Sequence, residues 1–218
     1  MSIIKVKFKT YSTKWHIDRV LKNLESYPIL SFDTEVSGVY PKHERRLAKE
    51  YLKGENLPID ARRIALQVEA NTGLSFPSLV NVTHFVFGLS ENESIVIVCD
   101  NPALELHVWK WLSNYKGKLL IHNTLFDLKI MYHRVKKFPH DYEDTQLLAK
   151  CLINDADVWK AKSGLKDLMG VHYDPSWSLF EEYEPDDLKD PKFLQYASID
   201  GAATIKLWYD ILEHIKGE

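Results

Sequence analysis

The chain has 218 residues, of which 45% are hydrophobic and 27% are charged, and its formal net charge is −3 at pH 7. This size and composition predict one globular domain spanning residues 1–218, and they give no global basic field of the kind that many nucleic-acid-binding proteins carry. The two cysteines exclude a disulfide framework. Cys99 and Cys151 both lie in apolar runs, which predicts small core residues in a reducing compartment.

The sequence contains no signal for a membrane or for export. No apolar run approaches the roughly 20 residues that a membrane-spanning helix needs. The N-terminus also lacks the apolar segment of a signal peptide. A soluble, cytoplasmic protein is therefore expected, with no membrane partner.

The first elements are a strand, a helix and a second strand. Residues 3–8 alternate in polarity and predict a short strand, and a helix follows from Ser12 or Thr13 to about Ser26. Pro28 stops this helix, and the apolar run from Ile29 to Phe32 predicts a buried strand. Because this run is apolar throughout, it favours a sheet that is covered on both faces.

Residues 40–80 differ from their surroundings and are interpreted as an insertion. A charged helix is predicted to end near Gly54, and Arg62 to Ala70 fits either a strand or a helix. The basic side chains of the first helix could contact a phosphate backbone. Interleaved glutamates favour the simpler interpretation of a solvated helix face. The basic residues are Lys42, Arg45, Arg46, Lys49 and Lys53.

Strands and helices alternate through the rest of the chain, which predicts an α/β fold with a mixed sheet. A hairpin is predicted from two apolar strands around a polar turn. The predicted strands are 83–89, 94–98, 118–121 and a short one ending at 144, and the predicted helices are 101–115, 124–135, 145–152, 163–169 and 191–215.

Two carboxylates, Asp33 and Glu35, end the buried Ile29–Phe32 strand. Side chains two residues apart on an extended chain point to the same side. Burying unpaired charge is costly, and Mg²⁺ and Mn²⁺ take hard oxygen ligands. Taken alone, the pair is better explained by a solvated strand end or a helix N-cap, so the metal-site interpretation depends on further carboxylates at the ends of other core elements.

Further polar residues follow the same pattern at the edges of apolar elements. Asp127 lies one turn into a helix after a core strand, and Tyr196 and Asp200 share one face of the last helix. Each has a structural alternative: Asp127 can favour a helix N-terminus, Tyr196 can be a core ring, and Asp200-Gly201 can mark a kink. Their joint occurrence in this order is harder to explain structurally.

These residues give the chain a resemblance to the DEDD superfamily of 3′–5′ exonucleases, in its tyrosine-containing branch. That branch includes RNase D and the proofreading domain of family A DNA polymerases. The matching motifs are Asp33-Thr-Glu35, Asn123-Thr-Leu-Phe126-Asp127 and Tyr196-Ala-Ser-Ile-Asp200, with auxiliary stretches EDTQLLAKCL and SGLKDLMG. The histidine branch places its base five residues before the final aspartate, where this chain has Gln195.

The resemblance implies an RNase H-like mixed sheet, with three antiparallel strands then two parallel ones, flanked by helices. It also implies two divalent cations, Mg²⁺ or Mn²⁺. Asp33, Glu35 and Asp200 would hold one cation, and Asp33 with Asp127 the other. Tyr196 would orient the attacking water. The residues implied in contacting the terminal nucleotide are Thr34, Val39, Asn123 and Phe126.

The implied activity is hydrolysis at DNA 3′ ends, single-stranded or frayed, to release 5′-mononucleotides. The chain ends at Glu218, so a stand-alone phage-type nuclease or a subunit that joins a separate polymerase or replisome protein is expected. An exoribonuclease and a non-catalytic binding subunit remain as alternatives.

Asp144 is interpreted as a helix cap. Trp159 and Trp177 are candidates for stacking bases, although core tryptophans are commoner.

Overall fold

The computed structural model describes residues 6–37, 50–54, 58–70, 80–153, 163–173 and 187–217. These residues form one six-stranded sheet with the strand order β1-β4-β3-β2-β5-β6. The strands are β1 Lys7–Tyr11, β2 Ile29–Ser37, β3 Asn81–Ser90, β4 Glu93–Val98, β5 Lys118–Ile121 and β6 Asp141–Asp144. The helices are α1 Lys14–Leu24, α2 Ile59–Ala70, α3 Pro102–Leu112, α4 Thr124–Val135, α5 Thr145–Ile153, α6 Leu165–His172 and α7 Pro191–Gly217.

The sheet is mixed in the way that the sequence predicts. Strand β2 lies at its centre, antiparallel to β3 and parallel to β5. Strand β4 pairs antiparallel with β3, and β6 pairs parallel with β5. The α/β, RNase H-like mixed sheet flanked by helices is thus confirmed. The sixth strand, β1, pairs parallel with β4 at the edge, and residues 3–5 of the predicted strand lie outside the described residues.

The apolar strands pack helices on both faces of the sheet. On one face, Phe32 and Phe85 lie 5.7 Å and 4.9 Å from the Trp109 ring of α3, in edge-on contacts. All three side chains are fully buried. On the other face, Ala202 and Ala203 of α7 and Ala149 of α5 belong to a second buried cluster. Burial on both faces is the physical reason for the continuous apolar character of β2.

Helix α7 lies very close to the sheet because glycines face each other there. The Ser31 hydroxyl donates to the Gly201 carbonyl at 2.6 Å and accepts from the Gly88 amide at 3.0 Å. The Ser94 hydroxyl donates to the Ser198 carbonyl at 2.8 Å. These buried bonds satisfy polar groups that water cannot reach. They also fix α7 along the sheet on both sides of Asp200.

Other sequence predictions have mixed outcomes. Cys99 is buried, but Cys151 is exposed on α5, so its prediction as a core residue was wrong. Apolar neighbours in sequence do not decide which face of a helix a residue occupies. The segment left open between strand and helix is helical, as part of α2. Most of the charged helix predicted before Gly54 lies outside the described residues. No helix in the described ranges is both long and apolar enough to cross a membrane.

Candidate active site

Three carboxylates converge where the end of β2 meets α7. Asp33 and Glu35 come from β2 and Asp200 from α7, and each offers an oxygen within 4.8 Å of the others. All three side chains are partly buried. Alternation along β2 places Ser31, Asp33 and Glu35 on the side of the strand that faces α7. The hydrogen bond from Ser31 to Gly201 therefore fixes where Asp200 lies along β2, next to Asp33 and Glu35.

Asp127 reaches the same region from the other neighbour of β2. Strand β5 pairs in parallel with β2, Phe32 opposite Ile121, so α4 begins beside the end of β2. Asp127 is 1% exposed and accepts a 2.5 Å hydrogen bond from the Thr34 hydroxyl. It lies outside the group of mutually close oxygens, but its charge raises the pKa of Asp33. The helix N-terminus also favours its negative charge.

Removal from water is the largest cause of raised pKa values across this cluster. It raises the pKa of Asp33 well above its ordinary value, and the charges of Asp127, Glu35 and Asp200 add to the rise. Burial likewise raises the pKa of Glu35 to about 8 and that of Asp127 to about 7. The pKa of Asp200 is raised by burial, against the lowering effect of Lys166.

This donor set fits a divalent cation. The converging ligand atoms are all carboxylate oxygens, which hard cations such as Mg²⁺ prefer over nitrogen or sulfur. A bound cation would also offset the repulsion that raises the pKa values of Asp33 and Glu35. The residues of the cluster are therefore chemically suited to metal binding.

Without a cation, the protein should lose stability as the pH rises from 7 to 8.5. Carboxyls whose pKa is higher in the folded state than in the unfolded state stabilise the fold at low pH, and that stability is lost as the pH passes the folded value. Glu35, with a folded pKa of about 8, still loses stability in this window, whereas Asp127, at about 7, has lost most of its contribution below pH 7. Buried His122, with its pKa lowered to about 4, acts in the opposite direction, but only below its ordinary value of 6.5.

Thermal unfolding in EDTA at pH 7 and 8.5 checks this expectation. We expect a lower Tm at pH 8.5 and a larger recovery there when Mn²⁺ is added. The Asp200→Asn variant should show a flatter pH profile, because one repelling charge is gone. An equal Tm at both pH values in EDTA would contradict the raised pKa values of the cluster.

Asp144 is a structural carboxylate that joins the starts of two helices. One oxygen accepts from the Thr124 amide at 2.8 Å and from its hydroxyl at 2.7 Å. The other accepts from the amides of Gln146 at 2.9 Å and Leu147 at 3.1 Å. Burial alone would raise the pKa of Asp144, but these bonds outweigh it and lower the pKa. The prediction of a cap at the start of α5 is confirmed, and Asp144 caps α4 as well.

Replacing Asp144 with alanine should destabilise the fold by about 2–3 kcal/mol, because two helix starts lose their acceptor. Urea unfolding measures the loss. Asp141→Ala is the matched control, since Asp141 is an exposed carboxylate on the same strand. Once folded at low temperature, the Asp144→Ala protein should keep its cation affinity. A large loss of affinity would instead place Asp144 among the metal ligands.

The predicted substrate-contact residues lie around the same strand end. Asn123 precedes α4 with a left-handed φ of 69°, which Asn tolerates better than most residues. Phe126 is partly buried against the core, and the Thr34 side chain is engaged with Asp127. Val39, Trp159 and Trp177 lie outside the described residues. Nucleotide contact by Thr34, Asn123 and Phe126 remains a prediction.

The structure adds Lys166 to the residues that sequence reasoning selected. Its ammonium contacts the Tyr196 hydroxyl and lies 3.6 Å from Asp200 Oδ2. Tyr196 is partly buried on α7, one turn before Asp200. The sequence feature that could have pointed to Lys166 is the SGLKDLMG stretch, where this lysine lies between the apolar Leu165 and Leu168.

Neither protein-family models nor curated protein sequences give a match to this chain. Solved structures do resemble its fold. The Aedes aegypti Nibbler EXO domain is 12% identical with a TM-score of 0.62, over 99% of this chain and 94% of that one. Brucella melitensis NrnC is 15% identical with a TM-score of 0.57, over 97% and 82% of the two chains.

A third similar structure is Escherichia coli RNase D, described as an exoribonuclease involved in structured RNA processing. It is 13% identical with a TM-score of 0.53, and the match covers 97% of this chain and 46% of that one. At these identities the likeness establishes a shared fold. It leaves the chemistry to be argued from the residues of this chain.

Proposed function

We propose that this chain is a metal-dependent 3′–5′ exonuclease of the tyrosine branch of the DEDD superfamily. The observation that carries the proposal is the convergence of Asp33, Glu35 and Asp200, with oxygens within 4.8 Å of one another. Tyr196 lies one turn before Asp200 on the same helix face. The fold likeness to the Nibbler EXO domain and to RNase D supports this assignment.

The proposed cofactors are two divalent cations, Mg²⁺ or Mn²⁺. Asp33, Glu35 and Asp200 would hold one. Asp33 would share the second with Asp127, whose buried oxygen lies beside the same strand. When bound, such a pair supplies positive charge to the attacking and leaving oxygens of phosphodiester hydrolysis. A Brucella NrnC structure with bound Mg²⁺ is consistent with this choice of metal.

The chain's own residues would bind the cations and place the water. Asp33, Glu35 and Asp200 act as ligands only when deprotonated, so their raised pKa values make cation binding weaken as the pH falls. The Tyr196 phenol is a hydrogen-bond donor at neutral pH and would hold the attacking water in line with the scissile bond. Thr34, Asn123 and Phe126, with Val39, would contact the terminal nucleotide.

The proposed substrate is a DNA 3′ end, single-stranded or frayed, with release of 5′-mononucleotides. The sequence resemblance to proofreading domains favours DNA. RNA is the second candidate, because RNase D is described as an exoribonuclease and the Trypanosoma brucei RNase D structure contains RNA. A non-catalytic binding role is disfavoured, since the chain keeps all four motif carboxylates.

The proposed setting is proofreading or DNA replication and repair, as in a phage-type stand-alone nuclease. A separate polymerase or replisome protein is the proposed partner. Residues 1–218 would form one exonuclease domain, in the cytoplasm of the host cell if the source is a phage. The insertion at 40–80 follows the strand that carries Asp33 and Glu35, and its proposed role is to cover the substrate or to bind a partner.

A gel time course on 5′-labelled strands tests the activity, its polarity and the sugar preference together. The substrates are single-stranded DNA, RNA of the same sequence and a mispaired primer–template, each with Mg²⁺, Mn²⁺ or EDTA. We expect a ladder that shortens from the 3′ end of DNA and requires a cation. Asp33→Asn is the inactive control.

Other outcomes separate the candidates. A ladder on RNA alone would move the substrate to the exoribonuclease alternative while keeping the chemistry. Release of the 5′ label without a ladder would indicate shortening from the 5′ end and would overturn the proposed polarity. Absence of cleavage on every strand, in protein that binds Mn²⁺, would overturn hydrolysis and favour a binding role.

A further inference from the structure

Lys166 is a cation placed against the carboxylate cluster. Its ammonium lies 3.6 Å from Asp200 Oδ2, with the Lys166 side chain 28% exposed and that of Asp200 13% exposed. The same nitrogen contacts the Tyr196 hydroxyl and lies 3.8 Å from the centroid of the ring. A single side chain from α6 thus contacts two α7 residues of the candidate site.

The charge of Lys166 acts on the whole cluster rather than on Asp200 alone. It lowers the pKa values of Asp33, Glu35 and Asp200, each of which burial raises. A divalent cation entering between these three carboxylates would take the electrostatic role that Lys166 fills. The Lys166 ammonium and a cation bound to the same carboxylates would repel each other strongly, because little water is present to screen the two charges.

We propose that Lys166 is the resident counter-ion of this cluster, that it competes with the divalent cation for Asp200, and that it positions the Tyr196 hydroxyl. When the cation binds, the ammonium leaves Asp200 and keeps its contact with Tyr196. Lys166 therefore weakens cation binding and supports hydrolysis by holding the tyrosine. The positioning of Tyr196 rests on the proposed nuclease activity, whereas the counter-ion role and the competition with the cation do not.

Two variants and one matched control test this role. Lys166→Met removes the charge and keeps much of the apolar stem, whereas Lys166→Arg keeps the charge. Lys206→Met is the control: its side chain is 26% exposed, pairs with Glu91 and Asp210, and lies over the Tyr173 ring. Glu91 follows β3 at the opposite end of β2 from Glu35, so this lysine is remote from the cluster.

The first measurement is Mn²⁺ affinity at pH 8 without nucleic acid, read from the electron paramagnetic resonance signal of free Mn²⁺. We expect Lys166→Met to bind Mn²⁺ on the order of tenfold more tightly, because a repelling charge is gone. Lys166→Arg and Lys206→Met should stay within about twofold of the parent protein, since each keeps the positive charge beside Asp200. Tighter binding would support the counter-ion role, because loss of a merely structural lysine does not strengthen cation binding. Unchanged or weaker binding by Lys166→Met would overturn that role.

The second measurement is hydrolysis at saturating Mn²⁺. We expect kcat of Lys166→Met to fall on the order of tenfold with KM little changed, because the Tyr196 hydroxyl loses its contact with the Lys166 ammonium. A normal kcat would overturn the positioning role. If the parent protein cleaves no strand, the proposed function fails, while the order of Mn²⁺ affinities still decides the counter-ion role.

Discussion

We expect the Asp200→Asn and Asp33→Asn variants to lose phosphodiester hydrolysis almost completely while they keep their fold. Each change removes one charge from a ligand set whose oxygens lie within 4.8 Å of one another. Metal-assisted charge stabilisation contributes several kcal/mol to such a reaction, so the expected loss of kcat is about 1,000-fold or more. A labelled single-stranded substrate with excess Mn²⁺ measures the loss.

The fold should survive because asparagine has the same size and shape as aspartate. In the metal-free state the variants should even gain stability above pH 7, since the pKa values of both carboxyls are raised. Asp210→Asn is the matched control. Asp210 lies ten residues after Asp200 on α7 and carries a partly buried carboxylate with a pKa raised to about 6.

The control should cleave at the parent rate. Near-normal hydrolysis by Asp200→Asn or Asp33→Asn, in protein with a native circular dichroism spectrum, would contradict the assignment of the site. Equal loss in the Asp210→Asn control would show that any carboxylate change on α7 disturbs the fold.

The Gly88→Ala variant should be strongly destabilised. A Cβ at Gly88 would lie 2.3 Å from Ser31 Oγ and 2.4 Å from the Gly201 carbonyl oxygen. The second neighbour is backbone, so α7 must move away from β3. Overpacking costs about 1–3 kcal/mol, and the loss of the buried Ser31 bond adds about 1–3 kcal/mol. The expected total is therefore about 3 kcal/mol or more, measured by urea unfolding.

Moving α7 also moves Asp200, so hydrolysis by the folded fraction of Gly88→Ala should fall as well. Gly217→Ala is the matched control, since a Cβ at Gly217 meets nothing within 4 Å. Its unfolding free energy should match that of the parent. Parent-like stability in Gly88→Ala would mean that the close contact of α7 with β3 relaxes at little cost.

Strong local periodicity made most elements predictable. Strand β5 has the predicted bounds of 118–121, and α4 ends at Val135 as expected. Apolar runs bounded by polar turns and caps determine such elements from nearby residues alone. The strand predicted over 3–8 overlaps β1 at Lys7 and Phe8, and β1 continues to Tyr11 because an edge strand depends on a distant partner, here β4.

The candidate site was predictable to a similar extent. Asp33 and Glu35 share a face because strand alternation is local, and Tyr196 with Asp200 share one because helix periodicity is local. The role of Asp144 as a cap was also visible, since it directly precedes a helical pattern. Its second role, at the start of α4, required the parallel pairing of β5 with β6.

The sequence by itself therefore determined the α/β pattern, the succession of strands and helices along the chain, and the residue types suited to a divalent cation. Only the tertiary structure decided how they meet. The Ser31–Gly201 bond that sets α7 against the sheet joins residues 170 positions apart, and Lys166 reaches Tyr196 from another helix across 30 positions. Contacts between distant segments depend on packing, burial and the close approach of backbones, which no local pattern encodes.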